Sequence, residues 1–296
     1  MKQAVLLLAY GAPERLEDVE RYLGYVRGGR PAPPALVEEM RRRYAVIGGG
    51  SPLAARTREQ AQALERRLAA GGFPARVYCG MRNWRPFIRE TLAGMQSDGV
   101  DRIVAVCLTP HYSRRSVGLY RRHTETARQE LGLGAEIVWT ESFHDHPLLV
   151  EAFREKLAPL APGRKVLFTV HSLPEKAVPE GDPYEREARA TAAAVATSAG
   201  LADWDFTYQS QGATRDKWLG PTVETRIDQY AAEGVREMVV APIGFLSDNL
   251  EILYDVDIQF RSYAGRRGMR LDRTESLNDS PTFIAALADV AQRKLA

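Results

Sequence analysis

The 296-residue chain has few cysteines and no long apolar segment. These two features argue against a disulfide-rich protein and against a membrane-spanning one. Its two cysteines, Cys79 and Cys107, lie in separate apolar runs, so there is neither a CxxC pair nor a disulfide framework. No stretch approaches the roughly 20 apolar residues of a membrane-spanning helix. The apolar run at residues 4–9 is too short for a signal peptide and lacks a small-residue cleavage site. We therefore expect a cytoplasmic protein with buried, reduced thiols and no stable membrane anchor.

The chain also lacks a dominant charge and the common catalytic signatures. A formal net charge of +2, with no dominant basic run, argues against nucleic acid as the main partner. A P-loop, a nucleophile elbow and a zinc-spaced set of cysteines and histidines are all missing. Arginines do cluster near the N-terminus, at Arg27, Arg30 and 41–43. This cluster is either a local anion site or a solvated helix face.

What the chain does contain is a regular alternation of short apolar runs and helical patterns. This alternation is typical of βαβ units, because parallel strands buried on both faces are continuous apolar runs. The predicted strands are residues 5–9, 75–79, 102–108, 136–140, 165–170, 206–209, 237–241 and 269–273. The sequence therefore predicts an α/β fold with parallel sheets.

The eight predicted strands form two similar sets of four. The matching segments are 5–14 with 166–175, 102–113 with 236–247, and 140–147 with 274–281. This repeat predicts two similar lobes around a cleft, 1–145 and 146–296, with the last helix packing back on the first lobe. The first half carries an extra segment at about 15–50, which we expect to bind the ligand. Doubly wound sheets place ligands at the carboxyl ends of their strands, so we expect function there.

Tyr10 and His171 hold equivalent positions after the first strand of each half. His171 directly follows the apolar run 165–170, so its side chain should emerge at a carboxyl strand end. A single histidine is more often structural than catalytic. Its place at the predicted cleft nevertheless makes His171 the first candidate for chemistry.

A predicted helix after the seventh strand carries the second candidate. Ser247 is suited to cap it, and the spacing places Asp248, Glu251 and Asp255 on one face. Such a row of acids is often only a solvated face. Here the first turn of the helix should point into the cleft, so that an imidazole and a carboxylate converge from opposite lobes. That combination can bind a divalent cation or move protons.

Three further histidines are weaker candidates. His111 lies at a predicted strand end, and His144 and His146 flank Asp145 in a loop. A His-Asp-His triplet can bind metal, but a structural role for these side chains is the commoner outcome.

Several motifs together resemble the ferrochelatase family over nearly the whole chain. They are residues 9–13 (AYGAP), 48–53 (GGGSPL), 171–174 (HSLP), 181–184 (GDPY), 209–210 (QS), 218–221 (WLGP) and 247–251 (SDNLE). The resemblance implies a type II chelatase-like fold, with two Rossmann-like lobes of four parallel strands flanked by helices. It also implies an enzyme of heme b biosynthesis, a lyase that inserts ferrous iron into a porphyrin.

The resemblance assigns the chemistry to His171 and Glu251. They would flank the porphyrin centre, bind the iron and handle the pyrrole protons; which of them takes the protons stays open. Ferrous iron is a substrate, and no obligatory cofactor is implied. The expected partners are a porphyrin and ferrous iron, with transient contacts to neighbouring heme-pathway enzymes.

Tyr10 resembles the tyrosine of the branch that acts on coproporphyrin III. There it lies below the ring and can ligate the product iron. The residues that would bind the substrate by resemblance are Tyr10, Arg27, Arg43, Tyr44, Ser51 and Tyr120. Ser51 is equally suited to cap a helix, and the two roles are compatible.

Three positions depart from the family pattern: Asn249 and Asn83 replace histidines, and Gln259 replaces an acid. These departures predict a weakened outer metal site. The alternatives are a ferrochelatase for protoporphyrin IX, a chelatase for another tetrapyrrole such as sirohydrochlorin, and a non-catalytic tetrapyrrole or metal carrier.

Overall fold

The computed structural model describes residues 1–212 and 216–296. Its strands are β1 (Gln3–Ala9), β2 (Arg76–Met81), β3 (Arg102–Cys107), β4 (Glu136–Trp139), β5 (Lys165–His171), β6 (Trp204–Gln209), β7 (Glu237–Pro242) and β8 (Arg270–Arg273). Its α-helices are α1 (Val19–Val26), α2 (Pro34–Val46), α3 (Leu53–Ala70), α4 (Ile88–Ser97), α5 (Val117–Leu131), α6 (Pro147–Leu157), α7 (Tyr184–Ser198), α8 (Val223–Ala232), α9 (Arg261–Gly265) and α10 (Pro281–Leu295). A π-helix, Glu251–Phe260, lies between α8 and α9.

The described residues divide into two compact units. The N-terminal unit comprises Met1–Thr109, Arg114–Ser142 and Asn278–Ala296. The C-terminal unit comprises Pro110–Ser113 and Phe143–Leu277. Each unit contains one four-stranded sheet.

The two sheets share one topology. Their strand orders are β2-β1-β3-β4 and β6-β5-β7-β8, and all pairs are parallel. The first strand of each set is therefore an inner strand with a neighbour on both sides. These two parallel sheets, connected through helices, confirm the predicted fold class.

The inner strands have apolar sequences, and both of their faces are buried in the core. Leu6, Leu7 and Leu8 of β1 are fully buried, and so are Val166 and Leu167 of β5. Burial of each such side chain contributes roughly 1.5–3 kcal/mol. Side chains at the carboxyl ends of these strands are therefore held on a rigid core.

The last helix, α10, belongs to the N-terminal unit. It packs against α3 and buries Phe283 and Leu287. The amide of Gln3, at the start of β1, also donates to the carbonyl of Leu295 at 3.3 Å. The chain thus returns to the unit where it began.

Both cysteines are free thiols. Burial raises the pKa of Cys79 to about 11 and that of Cys107 to about 12. They therefore stay protonated at neutral pH and are poor nucleophiles. Within residues 1–212 and 216–296, no helix is long and apolar enough to cross a membrane.

Candidate active site

Strand β5 carries an imidazole to the carboxyl edge of the C-terminal sheet. The strand is buried from Val166 to Val170 and ends at His171, which pairs with Gln209 in β6. The side chain of His171 is 34% exposed, in contrast to the buried residues before it. The core therefore holds the backbone of His171 while leaving its ring accessible to a ligand.

The hydrogen bonds of His171 determine which ring nitrogen is available. Nδ1 lies 2.5 Å from the carbonyl oxygen of Ser172. A carbonyl oxygen can only accept, so Nδ1 carries the proton in the neutral ring and Nε2 keeps its lone pair. Nε2 lies 3.8 Å from Oε1 of Glu251. The Nε2 lone pair and the Glu251 carboxylate thus lie close enough to act on the same substrate, one as a base and the other as a metal ligand.

Glu251 is the first residue of the π-helix, and Asn249 sets its start. The Asn249 side-chain oxygen accepts from the backbone N–H of Glu251 at 2.8 Å and from that of Ile252 at 3.3 Å. Asn249 is therefore the capping residue, and the prediction that Ser247 caps an α-helix here is wrong. Most π-helices are single-turn bulges, frequently at functional sites, whereas this one spans 10 residues.

His171 and Glu251 both belong to the C-terminal unit. The expectation that they converge from opposite lobes is therefore wrong. One sheet positions both, because β5 and β7 are adjacent and the π-helix follows β7.

The other two acids of the predicted row have different partners. Asp248 accepts from the Ser276 hydroxyl at 2.8 Å and lies 3.8 Å from Arg273. Asp255 is buried and accepts from the Ser210 hydroxyl at 2.7 Å. Among the described residues, no group of three or more histidines, cysteines and acids is arranged to hold a metal ion. Glu251 is thus the member of the predicted row that faces His171.

The remaining candidate histidines have structural partners. His111 is fully buried, its Nε2 lies 2.9 Å from the Thr191 hydroxyl, and burial lowers its pKa to about 3. His146 caps α6 by accepting from the N–H of Leu148 at 3.2 Å. His144 lies 3.8 Å from Glu187. These contacts favour the structural alternative for all three.

In the N-terminal unit, Tyr10 follows β1 and is 39% exposed. Backbone pairing continues beyond the strands here, since Arg82 N–H donates to Ala9 and Asn83 N–H donates to Tyr10. The next residue, Gly11, has φ +83°, and a Cβ atom there would lie 2.7 Å from the backbone nitrogen of Trp84. Only glycine permits this close approach, which brings the segment after β2 alongside Tyr10.

Arg82 is a residue that our sequence reasoning missed. Its guanidinium carbon lies 4.6 Å from the ring centroid of Tyr10 and 5.4 Å from that of Tyr120, which is buried in α5. Arg82 thereby links two of the predicted substrate-binding residues. The sequence did offer a signal: Arg82 directly follows β2, just as Tyr10 directly follows β1, and the last residues of these two strands pair with each other.

The other predicted substrate-binding residues lie on or near α1, α2 and α3. Arg27 follows α1, and its side chain donates to the carbonyl of Pro31 at 3.3 Å. Arg43 forms a 2.5 Å ion pair with Glu39 on its own helix. Tyr44 is buried, with 2% of its surface exposed. Ser51 is also buried, and its hydroxyl accepts from the N–H of Leu53 at 3.3 Å, as a residue at a helix start does.

Comparison with known proteins places the chain in a family. A model of the ferrochelatase family matches residues 2–295. A ferrochelatase of Acidobacterium capsulatum is 44% identical, over 99% of this chain and 95% of its own length. The coproporphyrin III ferrochelatase of Geobacillus kaustophilus is 37% identical, over 99% of this chain and 96% of its own length.

Solved structures agree with the fold. SirB from Bacillus subtilis with Fe3+ superposes with a TM-score of 0.63 at 12% identity, covering 100% of this chain and 96% of SirB. CbiX superposes with a TM-score of 0.57 at 15% identity, covering 99% of this chain and 100% of CbiX. At such identities the likeness establishes the fold alone, two parallel α/β sheets of the type II chelatase-like kind.

Proposed function

The chain belongs to the ferrochelatase family, and from this premise we propose that its porphyrin substrate is coproporphyrin III. Enzymes of this family insert iron into a porphyrin in heme biosynthesis. The observation that carries the choice of porphyrin is Tyr10, exposed at the end of β1 beneath the guanidinium of Arg82. Relatives named coproporphyrin III ferrochelatase, from Geobacillus kaustophilus and Halalkalibacterium halodurans, are each 37% identical to this chain.

We assign the chemistry of insertion to His171 and Glu251. Insertion removes two protons from the pyrrole nitrogens and exchanges the water ligands of iron for those nitrogens. The Nε2 lone pair and the Glu251 carboxylate, 3.8 Å apart, are both proton acceptors and both metal ligands. Adjacent acceptors can pass a proton between them, since an imidazolium is stabilised by a neighbouring carboxylate. Neither group is needed to hold the edge of the porphyrin.

The charges of the N-terminal unit support a substrate rich in carboxylates. Coproporphyrin III carries four propionates, whereas protoporphyrin IX carries two. Within the described part of the chain, Arg27, Arg30 and Arg82 have no carboxylate partner. Guanidinium groups without a carboxylate partner suit bidentate binding of the substrate's carboxylates. Arg43, by contrast, would have to break its ion pair with Glu39 before it could bind a propionate.

An anaerobic assay of ferrous insertion tests this proposal. Turnover is compared with coproporphyrin III and with protoporphyrin IX at equal concentrations. We expect a higher kcat/KM with coproporphyrin III. A preference for protoporphyrin IX would overturn the substrate assignment while leaving the family intact, and insertion into neither would favour a non-catalytic tetrapyrrole carrier.

A further inference from the structure

The motif at residues 181–184 contributes to the family resemblance and lies outside the residues assigned to substrate binding and to the chemistry. Its last residue, Tyr184, begins α7 and is buried. The Tyr184 hydroxyl donates a hydrogen bond to the backbone carbonyl of His171 at 3.0 Å. This motif therefore contacts the residue that carries the candidate imidazole.

The peptide between His171 and Ser172 is held at both of its polar groups. Tyr184 donates to its carbonyl, and its N–H donates to the carbonyl of Gln209 at 2.9 Å. The next carbonyl along the chain, that of Ser172, accepts from Nδ1 of the imidazole. The orientation of this peptide therefore decides where the acceptor for Nδ1 lies.

Tyr184 is itself held in place. Asp182 accepts from the backbone N–H of Tyr184 at 3.1 Å and from the Ser113 hydroxyl at 2.9 Å. The ring of His111 packs edge-on against Tyr184, with centroids 5.8 Å apart. Burial and then the Glu251 carboxylate raise the pKa of Tyr184, so its hydroxyl keeps its proton and remains a donor.

We propose that Tyr184 is a positioning residue, which holds the His171–Ser172 peptide so that Nδ1 stays protonated and Nε2 presents its lone pair towards Glu251. This inference rests on the roles assigned above to His171 and Glu251. Without the hydroxyl, the peptide can rotate and the Ser172 carbonyl moves away from Nδ1. The neutral ring then populates both tautomers, and only one of them has the lone pair on Nε2.

The test is the variant Tyr184→Phe in the full chain, matched with Tyr230→Phe. Tyr230 is also a buried tyrosine of the C-terminal unit, and its hydroxyl donates to Asp205 at 2.6 Å, away from His171. The first readout is the tautomer of His171 by nitrogen NMR of the 15N-histidine-labelled protein without substrate. The chain has five histidines, and His171→Gln identifies the relevant signal. The pH is set well above 6.5, the ordinary histidine pKa, so that the rings are neutral.

We expect a single Nδ1–H tautomer in the wild type and in Tyr230→Phe, and a mixture in Tyr184→Phe. The second readout is kinetic. Loss of one buried hydrogen bond should lower kcat about two- to tenfold in Tyr184→Phe, with the porphyrin KM unchanged. Tyr230→Phe should lower the stability but leave kcat unchanged.

An unchanged single tautomer in Tyr184→Phe would overturn the inference, whatever the kinetics. If Tyr184→Phe does not fold, Asp182→Ala replaces it, because it removes the acceptor for the Tyr184 N–H; a wild-type tautomer there would equally overturn the inference. The NMR readout needs no porphyrin, so failure of this inference is distinct from failure of the substrate assignment.

Discussion

Nε2 of His171 and Oε1 of Glu251 lie 3.8 Å apart at the carboxyl edge of one sheet. Both side chains are about one-third exposed, so they are accessible to a substrate while their backbones are anchored in buried structure. The distance is longer than a direct hydrogen bond, which leaves both groups available for other partners. This pair is the part of the molecule on which the first prediction depends.

His171→Ala and Glu251→Gln should each reduce iron insertion by roughly 10²-fold or more, because each removes one of the two proton acceptors to which we assign the chemistry. Porphyrin binding should persist, since neither residue contributes a cation for the propionates. Single-turnover insertion rates and fluorescence titration with the porphyrin measure the two effects separately. Near-normal insertion by either variant would contradict the role of the residue it replaces.

Asp255→Asn should reduce insertion much less than Glu251→Gln does. Asp255 is buried against the Ser210 hydroxyl, and the amide oxygen of asparagine can accept the same hydrogen bond. The exposed Gln259 further along the helix also interrupts any row of acids leading outward. Equal losses of kcat in the two variants would show instead that Asp255 takes part in the chemistry.

Tyr10→Phe should change the visible spectrum of the bound ferric product and weaken its retention. A phenol oxygen is a hard ligand that suits ferric iron, and phenylalanine removes it while keeping the ring under Arg82. Insertion should change by less than about tenfold, or ~1.4 kcal/mol. Identical charge-transfer bands in the wild type and the variant would show instead that the Tyr10 ring only packs against the porphyrin and does not ligate the iron.

Arg82→Gln should raise the KM for coproporphyrin III by about tenfold, since it removes an uncompensated cation beside Tyr10 and Tyr120. Arg82→Lys should have an intermediate effect, because it keeps the charge but loses the planar fork. Arg76→Gln is the matched control: Arg76 lies 4.7 Å from the ring of Tyr78 but at the amino end of β2. A KM that rises as much in this control would point to a general effect of surface charge.

His111→Gln should reduce the loss of unfolding free energy that occurs when the pH is lowered. Burial lowers the pKa of folded His111 to about 3, against about 6.5 for an exposed histidine, so the unfolded state binds the proton first. The stabilisation is complete above pH 6.5 and is lost as the pH falls from there towards 3. Between pH 7 and pH 5 this loss amounts to about 2 kcal/mol. Urea unfolding at pH 7 and pH 5 measures this loss of unfolding free energy. The same loss in His111→Gln as in the wild type would show that His111 is not its cause.

The strands, their division into two similar sets and the first candidate residue could all be predicted from local patterns, whereas the order of the strands within each sheet came from the structure. A continuous apolar run such as 165–170 has few stable alternatives to a buried parallel strand. Once the strand is identified, the polar residue that follows it must lie at the carboxyl edge of the sheet. The position of His171 at this edge therefore follows from the sequence, whatever its neighbours in space are.

Sequence alone therefore determined which residues form the core and which side chains reach the edge of each sheet, because burial follows from a pattern read over a few consecutive residues. Tertiary structure decided the partner of each side chain. Asp248 accepts from the hydroxyl of Ser276, 28 residues along the chain. Arg82, which follows β2, packs on the ring of Tyr10, which follows β1. The tautomer of His171 likewise depends on a tyrosine from α7 and a carbonyl from β6. Such hydrogen bonds require heavy atoms within about 3 Å, and only the packing of distant segments sets distances on that scale.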